Sequence, residues 1–135
     1  MNHPLTLGDS VLDEDHLRLE DLVLQLRDAP LDEVSRRLEA VREHASRHFA
    51  LEDIELRAMA DGNAKCHLDE HAAVLNSLDE VMVVLTQVDV AAEKKALLIN
   101  RLATELHVWL PGHVHEMDAG VASHRSKQRF GGAPV

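Results

Sequence analysis

The chain contains no tyrosine, two phenylalanines and one tryptophan, so aromatic residues make up only 2% of it. A core without large rings must be filled by Leu, Val and Ala, a palette that favours helices over sheets. Cysteine is nearly absent as well. The single Cys66 excludes an intrachain disulfide and fits a reducing compartment. Its small side chain is expected to pack, ahead of any redox or intermolecular role. Met1-Asn2-His3-Pro4 carries no basic segment leading into an apolar run, and no apolar run reaches membrane length. The expectation is a soluble, cytoplasmic protein with no membrane insertion. Positive charge is scarce: 14 Lys and Arg against 24 Asp and Glu give a formal net charge of -10. That balance argues against nucleic acid or an anionic membrane as partner, and otherwise serves solubility.

The 135 residues suit one domain with a real core, and a hydrophobic content of 45% excludes disorder. Four apolar stripes run at helical spacing. The first helix is read from Asp13 to Arg27, with Leu12, His16, Leu19, Val23 and Leu26 inward. Asp28-Ala29-Pro30 ends it, because proline cannot continue the ladder but suits a helix start. The second runs from Leu31 to Met59, its stripe including Leu31, Val34, Leu38, Val41, Ala45, His48 and Glu52, and stops at Asp61-Gly62-Asn63. The third covers Ala64 to Thr86 with His67, His71, Val74, Leu78, Val81 and Leu85. The fourth covers Val90 to Leu110 with Leu98, Leu102, Leu106 and Trp109, and His113 one turn further. Short connections make neighbours antiparallel, so the fold class is all-α, an up-down-up-down four-helix bundle. The domain is expected to span residues 1–120, with 121–135 a flexible polar tail.

Histidine is the excess: there are ten. His16, His48, Glu52, His67 and His71 interrupt faces otherwise made of Leu, Val and Ala. Burying one unpaired polar group costs roughly 2–7 kcal/mol, and a domain has only roughly 5–15 kcal/mol of net stability. Five such groups need a shared partner, and a metal cation is the partner that neutral imidazoles and carboxylates have in common. One histidine on a stripe is ordinarily a hydrogen-bonded core residue; the argument rests on number and spacing. His48 with Glu52, and His67 with His71, are i,i+4 pairs that each share one helical face. His113 and Asp118 are five apart, which a straight helix does not bring together. Pro111-Gly112 is therefore expected to kink or stop the fourth helix, removing the hydrogen bond to the His107 carbonyl, so that Asp118 folds back. In an unbroken regular helix, Glu116 would be the next carboxylate to consider. His44 is expected to be exposed or at the boundary, and His3, His107, His115 and His124 to lie at the surface.

In this order the motifs resemble those of the hemerythrin family. Leu12-Asp13-Glu14-Asp15-His16 resembles I-D-x-x-H, His48-Phe49-Ala50-Leu51-Glu52-Asp53 resembles H-F-x-x-E-E, and His67-Leu68-Asp69-Glu70-His71 matches H-x-x-x-H. Trp109-Leu110-Pro111-Gly112-His113 resembles W-L-x-x-H-I, with Asp118 in the expected place after it. The likeness spans residues 5 to 120. The chain departs from the pattern at Asp61-Gly62, where the family often has Tyr-Pro, at Asp53 in place of a second Glu, and at Pro111.

The resemblance implies two iron ions (Fe2+/Fe3+) with a bridging oxo or hydroxo group. His67, His71 and His113 would hold one iron, His16 and His48 the other, and Glu52 and Asp118 would bridge them. The second iron would be five-coordinate and bind dioxygen reversibly, with Trp109 against the oxygen pocket. The implied role is oxygen carriage, storage or sensing, which is not enzymatic. A separate protein partner would be needed for sensing. The alternatives are a di-iron oxidoreductase acting on peroxide or nitric oxide, and iron storage or buffering.

Overall fold

The structure is a computed structural model and describes residues 5–59 and 62–129. Its elements are helices α1 (Ser10–Arg27), α2 (Val34–Met59), α3 (Gly62–Thr86), α4 (Ala92–His113) and α5 (Ala119–Arg129). A short 3-10 turn at Leu31–Glu33 leads into α2, and a π-helical turn at Val114–Asp118 joins α4 to α5. The first four helices form the antiparallel bundle expected from the short connections. No helix among the described residues is long and apolar enough to cross a membrane.

Helix α1 starts three residues before the expected Asp13 because Asp9 caps it. The Asp9 side chain accepts from the N–H groups of Val11 (3.1 Å) and Leu12 (3.3 Å). Asp13 in turn accepts from Leu7 N–H at 2.6 Å and Gly8 N–H at 3.1 Å, fixing the incoming chain at a glycine with φ of 83°. Pro30 stands at the head of the 3-10 turn, so regular α2 begins at Val34 and Leu31 is exposed. At the far end of α3, Lys95 Nζ donates to the Leu85 carbonyl at 3.1 Å, placing a cation where the helix leaves carbonyls unpaired.

The main core is the one drawn by the stripes: Leu19, Val23 and Leu26 against Leu38, Val41 and Ala45, closed by Leu78, Leu102 and Leu110. The α4 face is rotated from the expected one. Ile99, Ala103 and Leu110 are buried beside Leu102, while Leu98, Leu106 and Trp109 border the core half-buried. Both registers lead to His113. The observed one leaves the indole at the rim, where its N–H meets a carboxylate instead of entering a dry interior.

Two expectations about the C-terminal region are corrected. The helix neither stops nor breaks at Pro111, which lies inside α4. The irregularity comes three residues later, where Ala119 N–H reaches back five residues to the Val114 carbonyl. Such a turn holds one residue more than an α-turn, so positions five apart share a face. Asp118 thereby points inward without any fold-back, and the exposed Glu116 is not needed in its place. The segment read as a flexible tail from 121 onward continues as α5 to Arg129, with Val121 and Ala122 buried; residues 130–135 lie outside the described residues. Arg125 Nε donates to Asp9 Oδ2 at 2.7 Å, and His124 Nδ1 lies 2.9 Å from Glu55 Oε2. Asp9 is 3% exposed and already caps α1. Arg125→Ala therefore removes a charged partner from a buried carboxylate. The expected result is a loss of roughly 1–3 kcal/mol in denaturant titration, with faster amide exchange across α5; unchanged exchange would show that the ion pair does not hold this helix.

Candidate metal centre

Each helix of the bundle delivers its polar residues to one level. His16 comes from α1, His48 and Glu52 from consecutive turns of α2, His67 and His71 from consecutive turns of α3, His113 from the end of α4 and Asp118 from the π turn. All seven lie in the interior: His16, Glu52 and Asp118 are 0% exposed, and none of the others exceeds 4%. Their donor atoms form two groups, with all atoms of a group within 4.8 Å of one another. One comprises Glu52, His67, His71, His113 and Asp118; the other comprises His16, His48, Glu52 and Asp118. Both carboxylates belong to both groups.

The ring nitrogens show why a cation fits. His71 Nδ1 donates to Asp53 Oδ1 at 2.8 Å, and His113 Nδ1 donates to Glu70 Oε1 at 2.8 Å. A neutral imidazole that donates through Nδ1 presents a lone pair at Nε2. Yet the Nε2 atoms of His71 and His113 face one another at 3.2 Å, and His67 Nε2 is also 3.2 Å from His113 Nε2. A proton can relieve one such pair; a positive ion between the three rings relieves both. The second group makes the same point. His48 Nε2 lies 3.0 Å from Glu52 Oε1, and His16 Nε2 lies 2.9 Å from Asp118 Oδ2. None of these four atoms makes an aligned hydrogen bond. A buried polar atom left so costs roughly 1–3 kcal/mol. The donor atoms of each group crowd within 4.8 Å of one another without satisfying each other, a deficit that a cation among them would meet. Imidazole nitrogen and carboxylate oxygen without thiolate suit a borderline divalent metal.

The charges are arranged accordingly. Burial, with His67 and His113 beside it, pushes the His71 ring down to about 2, so it stays neutral and able to ligate. Burial pushes Glu52 up to about 7 against the opposing pull of His48. Burial also opposes charge on His48, but the Asp15 and Glu52 carboxylates outweigh it and push that ring up to about 10. Asp118 is buried too, yet its contacts with His113, His16 and His67 hold it well below the usual carboxylate range. Two buried carboxylates thus draw positive charge onto neighbouring rings, a demand that a shared cation meets more fully.

Three acids support the site in a role that motif spacing does not assign to them. Asp15, just before His16, accepts from His48 Nδ1 at 3.0 Å. Asp53, just after Glu52, accepts from His71. Glu70, just before His71, accepts from His113. A residue adjacent to a ligand sits about 100° around the helix and so faces the neighbouring helix instead of its own ligand's site. Because the helices alternate in direction, the residue before a ligand on α1 or α3 and the one after it on α2 lie on the same side. The support therefore advances from α1 to α2 to α3 to α4. The sequence signal is an acid beside three of the seven, at Asp15, Asp53 and Glu70, readable only once the bundle is closed. Phe49 lies parallel to the His71 ring, with centroids 4.0 Å apart, and wedges it in place. His44, expected at the surface or boundary, is buried, with its Nε2 2.9 Å from the Asp15 carbonyl. Cys66, expected to pack, is exposed.

Trp109 stacks on His113 at 4.3 Å and donates from Nε1 to the same Glu70 oxygen, Oε1, at 2.7 Å. Glu70 thereby fixes both the tautomer of His113 and the plane of the indole. Glu70→Ala is expected to weaken metal affinity by roughly 10–100-fold, whereas Trp109→Phe, which leaves the Glu70–His113 bond, should do so far less. Equal losses in a competition titration would assign the effect to packing.

The chain matches the Hemerythrin HHE cation binding domain over residues 7–123. It is also 33% identical over 114 residues, 84% of this chain and 79% of the relative, to a bacteriohemerythrin of Ralstonia nicotianae. No solved structure gives a significant match. Two carboxylates shared between two histidine groups in a helical bundle, with a match of this extent, lead to one conclusion: the chain belongs to the hemerythrin family.

Proposed function

We propose that this protein holds two iron ions and binds dioxygen reversibly, as a carrier, store or sensing module. The observation that carries the reading is the pair of donor groups that share Glu52 and Asp118. His67, His71 and His113 would hold one ion, His16 and His48 the other, and the two carboxylates would serve both. Paired irons supply, when bound, the electrons that make oxygen uptake reversible. The rest falls to the chain. The His16–His48 group offers one residue fewer than the other, which leaves that end the one open to an outside ligand. Asp15, Asp53 and Glu70 keep Nδ1 of His48, His71 and His113 as donors, so each Nε2 is free to ligate. Above the centre lies an apolar gap of about 10 Å³ walled by Leu19, Val41, Ala45, Val74 and Trp109. Leu19, Ala45 and Val74 are each three residues from a proposed ligand, hence one turn away. The gap is at the lower limit for a single water, and its walls offer water no partner. It keeps solvent and protons from the bound ligand, and Trp109 contributes to that wall.

The test is the optical spectrum of anaerobically reduced, iron-loaded protein before and after air, and again after oxygen is removed. Charge-transfer bands that appear with oxygen and vanish without it are expected. A protein that keeps both irons ferrous and forms no adduct would favour an oxidoreductase acting on peroxide or nitric oxide. One tightly held metal at most would sink the two-iron reading.

A further inference from the structure

The seven proposed ligands are shut inside the bundle, so a metal ion needs a way in. A cavity of about 270 Å³ opens beside His67, between the facing ends of α2 and α3 and the π turn. His67 forms part of its wall, with Met59, Cys66, Glu116, Met117 and Gly120. Two further large cavities among the described residues do not include a proposed ligand. One lies between the Asp9 segment and α5; the other borders Glu70 and Trp109, on the Nδ1 side of His113, away from the site. We propose that the cavity beside His67 is the port through which divalent cations reach and leave the centre, an inference that rests on the metal-binding reading above.

The lining favours a cation over an uncharged gas. A gas needs only apolar walls. This cavity instead carries a carboxylate at Glu116, a thiol at Cys66 and thioethers at Met59 and Met117. Glu116 and Cys66 are both exposed, so they meet an arriving ion first. The thioethers are weak donors, and one carboxylate with one thiol is a poor trap for a hard or borderline ion. The set suits passage inward to imidazole and the two buried carboxylates, which bind far more strongly. A net charge of -10 raises the local cation concentration at any such mouth. Gly120 keeps the mouth clear: a Cβ built there would meet only Met59 Cε, at 4.0 Å. A larger side chain at 120 would project across the opening without disturbing the helix backbone.

The experiment measures iron traffic and not oxygen binding. Metal-free full-length protein is mixed anaerobically with ferrous ion, and uptake is followed by quenching with a ferrous chelator. Loss from the loaded protein is followed with the same chelator. Cys66 is the only cysteine, so a bulky maleimide marks the port alone. Labelling is expected to slow uptake and loss alike, by about tenfold or more, with the final iron content and the affinity unchanged. A port alters the barrier and not the end states, so both rates must fall together. Gly120→Leu should slow both rates in the same way, and Gly120→Ala should not. Should the label itself disturb the fold, Gly120→Leu decides. The same maleimide on Ser77→Cys in a Cys66→Ala background should leave the rates alone. Unchanged rates in labelled protein and in Gly120→Leu would overturn the proposal, as would equal slowing by the label at position 77. A parent protein that retains no iron would instead remove the metal-binding reading, and the port with it.

Discussion

Asp118→Ala is expected to take the iron content of the purified protein from about two ions per chain to about none. Asp118 lies in both donor groups, with Oδ1 2.7 Å from His67 Nε2 and 3.0 Å from His113 Nε2, and Oδ2 2.9 Å from His16 Nε2. Its removal takes a donor from each position and one of the two buried negative charges that offset the ions. His16→Ala removes one donor from one group and should leave about one iron. The contrast between a shared and an unshared ligand is the content of the prediction. Metal analysis read beside helix content by circular dichroism separates ligand loss from unfolding. Two irons retained by folded Asp118→Ala would show that this carboxylate bridges nothing.

Removing the metal from the parent protein should lower its melting temperature at pH 7 by roughly 10 °C or more. The size follows from the orphaned atoms: at roughly 1–3 kcal/mol each, a few of them outweigh what a domain of this length tolerates, and each kcal/mol moves the midpoint by several degrees. Acid should act in the same direction. His71 titrates at about 2 when folded against an ordinary 6.5. A group depressed in this way stabilises the fold above pH 6.5, and that contribution is lost as pH falls toward its folded value. Burial lowers His44 as well, with the same sign. Each such ring contributes a slope of up to about 1.4 kcal/mol per pH unit below 6.5. His48 and His113 are raised instead, and their contribution runs the other way, fading as pH rises through the folded value. In the loaded protein the ions compete with protons for all five rings, so iron release and unfolding should share one acid midpoint. Coincident melting of the metal-free and loaded forms would mean that the ligands find other partners.

The seven proposed ligands were legible in the sequence because a polar residue on an apolar stripe is visible from spacing alone. Their organisation was less so. The i,i+5 interval of His113 and Asp118 announced an irregularity, but proline drew it to position 111. The chain instead tolerates Pro111 within α4 and inserts its extra residue at 114–118, a choice made by the need to bury Asp118 and by the docking of α5. That helix is polar enough to read as a tail; its anchors, Asp9 and Glu55, are 116 and 69 residues from their partners. Spacing places Trp109 on the inner stripe, whereas the indole lies at the rim, where its N–H donates to Glu70. Cys66 gave no periodic signal, and its exposure depends on which side of His67 faces the core.

The one-way advance of acid support around the bundle bears on handedness. Four helices with short loops can be arranged in two mirror-related circuits, with α2 to the left or to the right of α1, and both bury the same apolar stripes. Leu, Val and Ala cannot tell them apart. Asp15, Asp53 and Glu70 can, because each stands on one flank of its helix. In the opposite circuit all three would face away from the histidines they serve, leaving those rings without a tautomer-fixing partner. Exchanging these acids for residues on the other flank would therefore penalise the native circuit and not merely the metal site.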